Sequence, residues 1–220
     1  MRNAIALAFV AFTPLVAADL PLDTVNKLDL KYCNAAVVNY KGKAAMRVAD
    51  NPGGEMLADG SQLAVIKGTS FQDGTIELDL SGDVLPGAEP IYKGFTGIAF
   101  RVQGDGKTYE AFYVRPRNGR IDDQVMRNHS TQYISPPEWP WQKLREQFPW
   151  MYESYVDLVP GEWVHVRIEV KGENARLFVR NMEQPALIVK GLKHGVSKGS
   201  IALWVGPKTV AHFANLKVSQ

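Results

Sequence analysis

Gly97 to Arg115 is the stretch that most narrows the folds open to this chain. It reads GIAFRV, then QGDGKT, then YEAFYVR. Ile98, Phe100 and Val102 alternate with Ala99 and Arg101, and Phe112 and Val114 alternate with Ala111, Tyr113 and Arg115. Period-two alternation on both sides of a glycine-containing turn predicts a β-hairpin with an apolar face toward a core and a polar face away from it. The same grammar recurs along the chain. Runs at Ala44 to Val48, Leu63 to Ile66, Gly74 to Leu80, Val164 to Val170, Arg176 to Val179, Ile201 to Val205 and Ala211 to Val218 are set apart by turns such as NPGG at Asn51 to Gly54 and KGEN at Lys171 to Asn174. In Gly74 to Leu80, Ile76, Leu78 and Leu80 share one face and Thr75, Glu77 and Asp79 the other. Roughly ten to twelve short strands predict an all-β, antiparallel two-sheet sandwich or jelly roll.

One stretch departs from this rhythm. Between Gly119 and Gly161 lies a proline-marked excursion carrying Tyr133, Trp139, Trp141, Phe148, Trp150, Tyr152 and Tyr155. Within it Trp141 to Phe148 predicts about two helical turns, with Pro140 at the start and Pro149 at the end. A loop this long inside a compact domain is usually a functional loop or a lid.

The N-terminal segment has one charge, Arg2, then an apolar run from Ala4 to Val16 and small residues at Ala17 and Ala18. That layout predicts a secretory signal peptide over residues 1–18, cut before Asp19, and a single domain over 19–220. The run is shorter than the roughly 20 residues that span a bilayer, so no membrane span is expected in the mature chain. Export to a periplasm or the cell exterior follows. With Arg2 removed the formal charge falls from +2 to +1, which argues against a nucleic-acid partner. Cys33 is the single cysteine, so packing rather than a disulfide must stabilise the fold.

The order DGTIELDL, GFTGIAFRV, TYEAFYVRP, GEWVHVRIEVKG, ARLFV, GSIALWV, HFANLKV resembles the concanavalin A-like lectin/glucanase superfamily. It is similar in particular to bacterial LamG-like jelly rolls and to the 3-keto-disaccharide hydrolase domains. The resemblance runs from about Ala44 to Val218 and implies a curved sandwich whose concave sheet often faces a glycan. Laminarinase-type members carry Glu, Asp and Glu at alternating positions of one strand, the outer two catalytic. Glu77 and Asp79 match the first two positions, but Gly82 occupies the region of the third and Asp83 is out of step. A retaining glycosidase needs two carboxyl groups about 5 to 5.5 Å apart, so that mechanism is disfavoured.

Candidate binding residues follow from the hairpin and what succeeds it. Arg101, Tyr113 and Arg115 would stand on its polar face, with small Ala99 and Ala111 leaving room for a groove. The next stretch packs Arg117, Asn118, Asp122, Asp123, Arg127 and His129 closely together. His129 could serve as a general base if a carboxylate such as Asp123 oriented it. Trp139 and Trp141 could form a sugar platform, whereas Phe148, Trp150, Trp163 and Trp204 read as packing residues. The four histidines are scattered and no metal-ligand spacing is present. No cofactor is expected, although Asp122 and Asp123 with loop carbonyls could conceivably hold calcium. Three readings stay open: an exported glycan-recognition domain, a glycoside-acting hydrolase, and a LamG-type protein-interaction module.

Overall fold

The computed structural model describes residues 17–51, 57 and 60–220. Most of the expected leader, residues 1–16, and most of the NPGG turn lie outside the described residues. Fifteen strands and two short α-helices are present among those described.

The strands in chain order are β1 (Ala18–Asp19), β2 (Leu28–Lys31), β3 (Cys33–Tyr40), β4 (Lys43–Asp50), β5 (Gln62–Ile66), β6 (Gly74–Val84), β7 (Thr96–Val102), β8 (Glu110–Val114), β9 (Thr131–Ile134), β10 (Glu153–Ser154), β11 (Val164–Lys171), β12 (Asn174–Val179), β13 (Leu187–Lys190), β14 (Ser200–Val205) and β15 (Thr209–Ser219). The helices α1 (Gln124–Asn128) and α2 (Trp141–Gln147) both lie in the excursion, and α2 has Pro140 as its N-cap, where the sequence places a helix start. One sheet has eight strands, ordered β13-β12-β11-β6-β15-β4-β3 with β1 against β15; the other has seven, ordered β10-β9-β8-β7-β14-β5-β2. All pairings are antiparallel. The expected two-sheet sandwich is thus what the chain forms.

Alternation sets the core. Ile76, Leu78 and Leu80 of β6 pair with Ile168, Val166 and Val164 of β11, and all six are buried. Facing them from the seven-stranded sheet are Ile98, Phe112 and Val114. The β7–β8 turn is held by Asp105, whose carboxylate accepts from Lys107 N at 2.8 Å and from Thr108 N at 2.9 Å. Cys33 is buried, and burial pushes its thiol up to about 12, so it stays un-ionised.

The hairpin's second face departs from expectation. Ala99, Ala111 and Tyr113 are buried there, and the excursion folds back as β9 and β10, which extend the sheet beyond β8, and as α2. Arg101 leaves that face altogether. The β7–β14 register slips between Ser200 and Ala202, and Arg101 takes a φ of 54°. This β-bulge re-aims its side chain. The guanidinium, 0% exposed, donates to the carbonyls of Gln72, Gly195 and Gly172 at 2.9, 2.7 and 2.7 Å and to Asp73 at 3.1 Å. Glu77 belongs to the opposite sheet.

Candidate functional site

Strand register lines up one row across the outer face of the seven-stranded sheet: Trp204 on β14, Gly97 on β7, Tyr113 on β8, Gln132 on β9 and Glu153 on β10. At Gly97 a Cβ would lie 2.1 Å from the Phe112 carbonyl oxygen and 2.6 Å from Tyr113 Cα, so no side chain fits. The two flanking rings close over the gap and stack, centroids 4.4 Å apart at 18°. Trp204 Nε1 donates to the Tyr109 hydroxyl at 3.3 Å, and Phe95 meets Tyr113 edge-on at 6.2 Å. Phe95, Tyr113 and Trp204 line a cleft of about 270 Å³ together with Ile91, Tyr92, Pro140, Trp141 and Gln142. Ile91 is 74% exposed at the rim.

Behind Tyr113 lies a buried charged network. Arg115 Nη2 donates to the Tyr113 hydroxyl and to Gln132 Oε1, both at 2.9 Å; Nη1 donates to the His129 carbonyl at 2.7 Å and to Glu153 Oε1 at 3.3 Å. Glu153, its side chain 3% exposed, also receives Arg145 of α2 at 2.9 and 2.5 Å. The Arg145 guanidinium in turn lies 4.6 Å from the Trp141 ring centre. This chain of contacts fixes the floor residue Tyr113 and the wall residue Trp141 against the same carboxylate. Paired, multiply hydrogen-bonded charges of this kind hold one geometry, and removing one partner strands the other.

His129 sits at the edge of the network with Nε2 3.8 Å from Glu153 Oε2, too far for a hydrogen bond. Burial holds its pKa below the ordinary value; Glu153 opposes this, and Arg145 and Arg115 reinforce it. The ring is neutral at pH 7. Asp123 does not orient it: that carboxylate caps α1, accepting from Met126 N at 2.9 Å.

Of the residues singled out by sequence, Tyr113 and Trp141 line the cleft, and Arg115 and His129 stand behind it. Arg117 pairs with Asp83 at 2.7 Å on the surface, and Asn118 is buried, its Nδ2 3.4 Å from the His129 carbonyl. Trp139 packs on Phe148, with the ammonium groups of Lys143 and Lys193 at 4.2 and 4.5 Å from its ring. Arg101 is held in its bulge. Among the described residues no group of three His, Cys, Asp or Glu is arranged to hold a metal ion, Asp122 and Asp123 included. Glu77 and Asp79 lie on the outer face of the other sheet, where Asp79 accepts from Lys43 at 2.5 Å and from Asn215 at 2.7 Å and pairs with His165 Nδ1 at 3.0 Å. Gly82 cannot be a carboxylate there, because its Cβ would lie 2.4 Å from Thr96 Cγ2 of the facing sheet.

Sequence reasoning missed Trp204, Phe95, Glu153 and Arg145. Trp204 had a signal: in IALWV it alternates with Ile201, Leu203 and Val205 and so falls on the outer face. Glu153 had none, since its partners come from β8 and α2.

No family model matches the chain, and no curated protein matches its sequence. Solved structures do. A Bacillus subtilis protein of unknown function with a galectin-like fold superposes with a TM-score of 0.60 at 10% identity, over 92% of this chain and 94% of that one. The likeness is one of fold, a two-sheet antiparallel β-sandwich. A carbohydrate-binding module, CBM66, from Bacillus subtilis gives a TM-score of 0.55 at 14% identity, over 87% of this chain and 98% of that one. A sialidase gives 0.54 at 9% identity, over 93% of this chain and 18% of that one. At such identities the likeness establishes the two-sheet β-sandwich and leaves function to the site.

Proposed function

We propose that this chain is an exported saccharide-binding domain whose site is the cleft over Tyr113 and Trp204. The observation that carries the reading is the aromatic lining of that cleft, in which the half-buried rings of Phe95 and Trp141 join the buried, mutually stacked Tyr113 and Trp204, with Arg115 held behind Tyr113. A pyranose or furanose presents an apolar C–H face that packs on aromatic rings and a rim of hydroxyls that need hydrogen-bond partners. Gln142 stands in the cleft lining for that purpose. The likeness to a carbohydrate-binding module supports the same reading. His129 and Glu153 are buried among Arg115 and Arg145 rather than open to the cleft, which favours binding over hydrolysis.

A glycan array followed by calorimetry tests it. Trp141→Ala should weaken any hit by roughly 1 to 2 kcal/mol, about 5- to 30-fold, in a protein that still melts cooperatively. No binding to any glycan by the folded protein overturns the reading, and product analysis on each hit reports whether turnover accompanies binding. For export, the protein secreted with its own leader should begin near Asp19; retention of residues 1–18 in the exported pool contradicts that part.

A further inference from the structure

Two residues of the cleft lining, Pro140 and Gln142, also line a second hollow of about 720 Å³ whose remaining walls include Tyr32, Leu57, Lys107, Lys143, Glu146 and Gln147. The first hollow, at about 270 Å³, falls just under the roughly 300–1,000 Å³ usual for small-molecule sites. It suits a single sugar ring. The second is larger and differs in chemistry: two amides, two ammonium groups, a carboxylate and a phenol stand around it, where the first is floored by aromatic rings. Tyr32 contributes an independent mark. It joins β2 of one sheet to β3 of the other with φ at 65°, a conformation that is costly for a residue with a side chain and is kept where the surroundings enforce it.

Resting on the saccharide-binding reading, we infer that the groove takes an oligosaccharide of two or more units. One ring packs in the cleft against Ile91, Phe95 and Trp141, the chain crosses Pro140 and Gln142, and the next units hydrogen-bond in the hollow of Tyr32, Lys107 and Gln147. Apolar packing anchors the ligand at one end, and hydroxyl contacts at the other read its length.

The test is a calorimetric series with glucose, galactose and xylose against cello-, laminari-, galacto- and xylo-oligosaccharides of two to five units. In the series that binds, affinity should rise about 10-fold from one unit to two or three, as one or two added hydrogen bonds require, and then level off. Tyr32→Ala and Lys107→Ala should each flatten that rise, whereas Trp141→Ala should weaken every member of the series. Lys107 lies in an exposed turn, so its variant keeps the test open if Tyr32→Ala fails to fold. A monosaccharide that binds as tightly as its oligomers, or a rise unaltered in Lys107→Ala, overturns the second hollow and leaves the first. No binding in any series overturns the saccharide reading itself and this inference with it.

Discussion

Tyr113 and Trp204 stack with centroids 4.4 Å apart although a whole strand separates β8 from β14. Adjacent strands lie about 4.8 Å apart, so rings two strands distant meet only if nothing stands between them. Gly97 is that absence. Gly97→Ala would drive a methyl into the Phe112 carbonyl and the Tyr113 backbone, which cannot yield as a flexible side chain would. The expected cost is about 3 kcal/mol, at the upper end for overpacking. Urea melts should show it, and a loss below about 0.5 kcal/mol would mean the rings do not depend on the glycine.

Arg101 behaves as a structural clamp, contrary to its place in the alternating pattern. Arg101→Ala strands three carbonyls and should cost roughly 3–5 kcal/mol, on the scale of breaking a buried pair. Phe112→Ala belongs in the same range, roughly 3–5 kcal/mol. Arg101→Lys should recover little, because one ammonium cannot reproduce the planar fork. Denaturation midpoints rank the three variants, and a silent Arg101→Ala would contradict the clamp.

What the sequence disclosed, and what it hid, divides along that bulge. Phe100 and Phe112 alternate and are buried as the pattern requires, and α2 begins at Pro140 as its residues direct. One extra residue in β7 breaks the period, and a period-two argument has no means of locating it. The strands β9 and β10 were hidden for another reason: Thr131–Ile134 and Glu153–Ser154 are too short to show alternation and gain order only by pairing at the sheet edge. Glu153 joins Arg145, eight residues before it, to Arg115, thirty-eight before it, so its role becomes legible only in three dimensions.

His212 stacks flat on Tyr40 at 3.6 Å and is held neutral: burial first, then Arg47, lowers its pKa from 6.5 to about 4. A depressed folded-state value means that the unfolded chain binds the proton more readily, so stability present above pH 6.5 is lost as pH falls toward about 4. The loss should reach up to about 3 kcal/mol. His212→Phe, which keeps a ring against Tyr40, should show a shallower acid limb in chemical denaturation. Parallel limbs for the two proteins would contradict the assignment.

Glu110 has the opposite sign. It is buried, accepts from the Tyr133 hydroxyl at 2.5 Å and from His194 N at 3.0 Å, and burial raises its pKa above the ordinary 4.5 against those hydrogen bonds. A raised carboxyl favours the protonated folded state, so its contribution is fullest in acid and declines as pH rises through the folded value. Glu110→Gln should flatten that decline, measured as melting temperature at pH values stepped upward from 4.5. An unchanged slope would show that Glu110 does not ionise on folding's terms.

The five tryptophans allow the central claim to be read directly. Trp141 and Trp204 line the cleft, while Trp163 lies beside Tyr40 and Lys43 on the eight-stranded sheet. Titrating the oligosaccharide that binds into isotopically labelled protein and following the indole N–H resonances should move those of Trp141 and Trp204 and leave that of Trp163 in place. A ligand that shifts Trp163 while Trp141 and Trp204 stay fixed would place binding on the other sheet and contradict the account.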